Sequence, residues 1–251
     1  MPETPRLRLA AAGDVHCRPA IREQVVAAFA AVEDEVDMIL LAGDLTTHGE
    51  PEQAEILADA CRPLKIPVLT VLGNHDWHAD RRDEIVAILE DARIQVLDPG
   101  HRVIEVRGTE VGVAGVKGFV GGFPGSHLTD FGEPLLRELY AATQYEVDAL
   151  DAGLREIATC PFRIVLLHYS PAQQTLEGEP PGIWTFLGSD RLAAPIREHE
   201  PDLVLHGHAH AGRFRGEIGN VPVHNVSVPV MGQDFWIHEL EPRGAAAAGL
   251  H

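Results

Sequence analysis

The chain has few cysteines, few basic residues and no long apolar run, and each shortage excludes something. Its three cysteines, Cys17, Cys61 and Cys160, are odd in number and far apart, which argues against a disulfide framework. Cys61 and Cys160 are expected to pack as small apolar residues. Only 20 Lys and Arg stand against 38 Asp and Glu, a net charge of −18. The lysines are Lys65 and Lys117, remote from one another, and no basic run occurs. Such a surface repels polyanions. Tight, sequence-general nucleic-acid binding depends on many phosphate contacts and is disfavoured. No stretch approaches the ~20 apolar residues of a membrane helix. No secretory-signal pattern stands out, since the first apolar run, residues 7–13, is short and already used by a motif. The expectation is a soluble cytoplasmic protein with no membrane partner. No internal repeat and no dividing linker interrupt the chain.

What is present fits one large α/β domain. Of the 251 residues, 45% are apolar, enough for a full core. Short β-type runs at 7–12, 38–42 and 68–72 alternate with amphipathic segments at 20–35, 51–60 and 82–91, the pattern of a parallel sheet layer. Pro51 suits a helix's first turn. The pattern then changes. Runs at 94–97, 102–106 and 111–116 follow each other across short turns, which predicts a hairpin-type sheet edge. Residues 117–133 are rich in Gly and Phe and predict a long loop over a site. A long amphipathic helix is expected over 134–158. Strands are expected at 164–167 and 203–205, with a second loop at 173–188 between them. Ser189 reads as the N-cap of a helix over 190–199. Gly219-Asn220 reads as a hairpin turn between 214–218 and 221–226, and 234–240 as a last strand. Two runs of strands imply two mixed β-sheets packed face to face as a sandwich, with α-helices outside. One domain over 1–241 is expected, with a disordered tail over 242–251.

Five segments carry the chemistry. Gly13-Asp14-Val15-His16, Gly43-Asp44, Gly73-Asn74-His75-Asp76, Leu167-His168 and Gly207-His208-Ala209-His210 each follow a strand-like run. In α/β sheets, side chains converge at the carboxyl ends of strands. Residues two apart on an extended end, such as Asp14 with His16 or His208 with His210, face one side and can bind one metal. Glycine before a motif permits a sharp turn and close backbone approach. A mixed N/O ligand set suits Mn, Fe, Zn, Co or Ni better than Ca or Mg. Singly, His16 or His168 reads as a structural histidine; the case rests on the set.

These residues resemble the calcineurin-like metallophosphoesterase superfamily, whose pattern is D-x-H, G-D-x-x-x-x-G, G-N-H-[DE], a lone H, and G-H-x-H. All five blocks occur in order over about 200 residues, with Gly49 closing the second. The chain is most similar to the small bacterial cyclic-nucleotide-phosphodiesterase-like branch. The resemblance implies a four-layer sandwich and two divalent or trivalent metal ions, Mn or Fe first. One ion would take Asp14, His16, Asp44 and His210; the other Asp44, Asn74, His168 and His208, with Asp44 bridging. Asn74 and His75 would be the catalytic, substrate-contacting pair. His75 would give a proton to the leaving oxygen, and a hydroxide between the metals would be the nucleophile. The implied activity is hydrolysis of small-molecule phosphate esters, diesters favoured. A phosphomonoesterase is the alternative within the class, and a non-catalytic metal-binding scaffold the alternative outside it.

Cys17 stands where many relatives carry glycine. It either packs, which is the expectation, or makes the site oxidation-sensitive. Asp76 is expected to support a turn or a ligand, and His206 to pack on its strand. His48 and His224 could face the site or not. His101, His127, His199, His238 and His251 read as surface residues. Phe119, Phe123, Phe131, Trp184 and Phe186 either anchor the two loops or wall a pocket that stacks a base or aryl group. Arg213 could contact phosphate or simply be exposed.

Overall fold

A computed structural model describes residues 6–242. The tail expected from Pro242 onward lies, apart from that residue, outside them. The first strand-helix repeats fold as read: β1 (Leu7–Ala12), α1 (Arg22–Val32), β2 (Met38–Ala42), α2 (Pro51–Cys61), β3 (Val68–Val71), α3 (Arg82–Asp91) and β4 (Ile94–Val96). β5 (Gly100–Val106) and β6 (Thr109–Val116) follow, then α4 (Pro134–Glu156), β7 (Phe162–Leu167), α5 (Trp184–Leu187), α6 (Ala193–His199) and β8 (Leu203–His206). The chain closes with β9 (Arg215–Ile218), β10 (Val221–Asn225), α7 (Val228–Met231) and β11 (Trp236–Leu240).

Two mixed sheets result, in the orders β11-β1-β2-β3-β4 and β5-β6-β7-β8-β10-β9. β1 to β4 are parallel and β11 runs antiparallel at the edge. In the second sheet β6, β7, β8 and β10 are parallel, with β5 and β9 antiparallel at the two edges. The run at 94–97 therefore does not belong with the hairpin. It pairs with β3 and finishes the first sheet, and the chain crosses to the second sheet before β5. That step needs no helix, because the two strands lie in different sheets.

The strand period of two sorts the apolar residues into layers. Leu9, Ala11, Leu40 and Leu69 face Val113, Ile164, Leu166 and Leu205 between the sheets. Ala10, Ile39 and Leu41 turn the other way, onto Phe29, Ile56, Leu57 and Ile85 of α1 to α3. Ala114, Val165 and Val204 meet Leu150, Leu154 and Ile196 of α4 and α6. The layers run helix, sheet, sheet, helix. Both faces of the parallel strands are covered, so these strands read as continuous apolar runs. Ser189 caps as expected, its hydroxyl accepting from the Arg191 N–H. Among the described residues no helix is long and apolar enough to cross a membrane.

Candidate metal centre

The carboxyl ends of β1, β2, β3, β7 and β8 meet at one rim, and each delivers its motif there. The delivery is not by extended strand alternation, as the sequence spacing suggests. Asp14, His16, Asp44 and His208 all have positive φ, between 49° and 70°. Only a few per cent of non-glycine residues do so, and they gather at functional sites. These left-handed residues turn the first, second and fifth motifs at their strand ends. Two glycines make the fit: a Cβ at Gly73 would overlap the Asp44 carboxylate, and one at Gly207 the Asp14 carboxylate.

Two ligand groups form. The donor atoms of Asp14, His16, Asp44 and His210 all lie within 4.8 Å of one another, as do those of Asp44, His168 and His208. Asp44 belongs to both. Asn74 joins the second group, its Oδ1 2.9 Å from His168 Nε2. The set read from the sequence is thus brought together whole.

Hydrogen bonds orient the imidazoles. His168 Nδ1 donates to Ala42 O at 2.8 Å, His75 Nδ1 to Thr47 O at 2.7 Å and His16 Nδ1 to Thr46 O at 3.3 Å. A carbonyl only accepts, so in neutral rings the proton sits on Nδ1 and Nε2 carries a lone pair. Those lone pairs turn toward Asp44, at 3.3 Å for His168, 3.8 Å for His75 and 4.0 Å for His16. Lone pairs facing a buried carboxylate are reconciled by a cation between them. His208 donates from Nε2 to Phe186 O at 3.1 Å, leaving Nδ1 as its free donor atom. Ligating histidines usually hand their second N–H to such an oxygen.

The electrostatics agree. Asp14 and Asp44 are buried, and among the described residues neither pairs with Lys or Arg; their partners are histidines. Burial raises the Asp44 pKa, with the neighbouring Asp14 adding to it. Burial pushes Asp14 the same way, but the His210 hydrogen bond at 2.7 Å and the nearby His168 charge outweigh it and hold Asp14 low. Burial depresses His208 to about 3 and lowers His16. Two desolvated carboxylates with imidazoles as their only side-chain partners among the described residues, and no Lys or Arg beside them, make a cation site. Asp76, fully buried, accepts from the N–H groups of Leu45, Thr46 and Gly73 and from the Thr46 hydroxyl, tying the second motif to the third.

The family model described as calcineurin-like phosphoesterase matches residues 7–212. The chain belongs to the calcineurin-like phosphoesterase family. No curated protein matches it in sequence. Among solved structures, it resembles the phosphopantetheinyl hydrolase of Mycobacterium tuberculosis at 17% identity and a TM-score of 0.69, covering 92% of this chain and 95% of that one. A Thermus thermophilus protein shares 20% identity with a TM-score of 0.56, covering 93% and 99%. The anchor in the inner membrane complex of Plasmodium shares 15% with a TM-score of 0.56, covering 94% and 81%. These three structures share the two-sheet fold.

Around the family's strand ends, the open readings resolve. Cys17 is buried, and burial together with Asp76 raises its thiol to about 12, so it packs. His206 is buried with Nε2 on the Thr175 hydroxyl. His224 lies between Phe214 and Trp236, outside the site. His48 is exposed. Arg213 pairs with Glu177 on the surface. Phe123 is a loop anchor, buried against Leu176, Leu187 and Ala209, with Trp184 packed on that cluster. Phe131 and Phe186 are exposed. Sequence reasoning passed over two residues of this rim. Tyr169 follows His168 and sets its ring 4.4 Å from His208. Lys117 immediately follows β6, a strand end without a motif. The signal for both was position alone.

Proposed function

We propose that the chain is a dinuclear metal-dependent phosphohydrolase of small phosphate esters, with phosphodiesters favoured. In this reading Asp14, His16, Asp44 and His210 hold one ion, and Asp44, Asn74, His168 and His208 the other. The observation that carries it is Asp44, whose buried carboxylate belongs to both ligand groups. Ions held there would supply Lewis acidity, lowering the pKa of a bound water and stabilising charge on the phosphate oxygens. The mixed N/O donors suit Mn, Fe, Zn, Co or Ni, and the family resemblance puts Mn or Fe first.

The chain's own residues supply the rest. His75 has its Nδ1 fixed on Thr47 O and a 40% exposed side chain. Nε2 is the atom that would carry a proton to the leaving oxygen. Asn74, at the mouth of an adjoining cavity, would contact the phosphate. Diester preference is supported by two cavities. One of about 430 Å³ reaches Asn74, and one of about 280 Å³ reaches Asp14 and His16. A diester has two organic groups to seat and a monoester one. The acidic surface disfavours a nuclease. The three free cysteines suit a reducing compartment, and a cytoplasmic location is part of the same proposal.

Steady-state rates after reconstitution with Mn²⁺ test it. The expected outcome is a higher kcat/KM on bis-p-nitrophenyl phosphate than on p-nitrophenyl phosphate. His75→Ala should lower turnover by about 10²–10⁴-fold while metal content stays unchanged. A preference for the monoester would make the chain a phosphomonoesterase. Bound metal without turnover of either ester would favour a scaffold, and a fold alone does not imply catalysis.

A further inference from the structure

The cavity that reaches Asn74 has an unusual lining. Lys117 projects from the end of β6 with its ammonium 4.5 Å from the Phe119 ring centre, 5.3 Å from Tyr169 and 5.9 Å from Trp77. Its one hydrogen bond among the described residues is to Gly118 O at 3.1 Å, and no carboxylate lies within salt-bridge distance. Burial lowers its pKa, opposed by Glu146 and Asp98. An ammonium held by ring faces keeps donor capacity. Tyr145 and Glu146 complete the wall, and the Glu146 carboxylate is occupied by the Gly118 N–H at 3.0 Å. Tyr169 joins this wall to the metal centre, since its ring also packs on His168 and His208. Trp77 is 42% exposed, with the Arg82 guanidinium 5.6 Å from its ring centre, and Tyr145 is 60% exposed, so both rings remain accessible.

Each property selects. Open aromatic faces favour a flat ring, stacked at an offset. The cage already contains a cation, so a substituent with its own positive charge, such as choline, is repelled. The acidic surroundings disfavour a second anionic group. A cavity of about 430 Å³ holds a ring with its attached sugar or chain. On the phosphoesterase reading above, we propose that this cavity seats one ester substituent of the substrate, an uncharged planar ring bearing hydrogen-bond acceptors, with Trp77 and Phe119 stacking it and Lys117 donating to it. Lys117 is then the residue that distinguishes a ring with acceptors, such as a nucleobase, from a plain aryl group.

Phosphonate analogues, which are not hydrolysed, test this by quenching of tryptophan fluorescence. The probes are a thymidine phosphonate and phenylphosphonate on the Mn²⁺-loaded protein, with free choline as competitor. The expected result is saturable quenching by both ring compounds that Trp77→Phe removes. Lys117→Met should weaken the thymidine compound about tenfold and phenylphosphonate less than about threefold, the difference one charged hydrogen bond makes. Phe119→Leu should weaken both, and free choline should displace neither. Equal losses for the two rings in Lys117→Met, no loss in Lys117→Met or Phe119→Leu, or displacement by free choline would overturn the assignment. The wider reading fails separately. Ring binding with this selectivity but no ester hydrolysis leaves the subsite and removes the hydrolase. Hydrolysis of ring and ringless diesters alike, without Trp77-dependent quenching, does the reverse.

Discussion

Asp44 accepts the His75 N–H at 2.8 Å and faces three imidazole nitrogens, so one substitution there touches both proposed ions. Asp44→Asn keeps the shape and removes the charge. It should cost at least one of the two proposed ions and nearly all turnover, measured by elemental analysis beside an aryl diester assay. Asp76 touches no proposed ligand directly except through backbone. Its carboxylate fixes the N–H groups of Leu45, Thr46 and Gly73. Asp76→Asn replaces an acceptor with a donor that these N–H groups oppose, and metal affinity should fall about 10–100-fold with the fold intact. Competition against a fluorescent chelator would read this, and unchanged affinity would reduce Asp76 to a turn former. Gly73→Ala adds a methyl where the Asp44 carboxylate stands. It should impair activity as severely as Asp44→Asn.

At the scale of elements, much of this rim was legible because the motifs are local: strand, glycine, ligand. The helices announced themselves by periodicity, and β1, β2 and α2 stand where the pattern put them. What escaped depends on distant partners. The run at 94–97 carries no mark of which sheet it will join, and β11 finds β1 across the length of the chain. The left-handed turns at Asp14, His16, Asp44 and His208 are invisible to a spacing argument, which assumed extended ends. Lys117 and Tyr169 belong to no motif, and only the fold sets them beside Asn74. The seam between β10 and β11 makes its own prediction. His224 packs on Phe214 and Trp236, its Nδ1 has no partner among the described residues, and burial, with the His238 and Arg215 charges, lowers it to about 4. Between its ordinary value of 6.5 and about 4, the unfolded chain binds a proton that the folded chain refuses. Stability is therefore complete above that window and declines as pH falls through it. His224→Phe removes both the proton and the unpaired nitrogen. Its Tm should exceed the wild type by more at pH about 5 than at pH about 7.5; an equal gain at both would contradict the linkage.

For the whole molecule, the net charge of −18 and the buried acidic pair point the same way: cations stabilise this fold. Removing them leaves Asp14 and Asp44 close together with only imidazoles for company. Chelation should lower Tm by about 5–10 °C, as expected for losing tight ligands from a chain of this length, and Mn²⁺ should restore it. Metal stoichiometry tests the shared centre most directly, measured by elemental analysis of the purified wild type and of Asp44→Asn after reconstitution with Mn²⁺. Two ligand groups sharing one carboxylate predict about two ions per wild-type chain and about one or fewer in the variant. A wild type that holds none, or a variant that still holds both, would contradict the shared centre and the proposed chemistry with it.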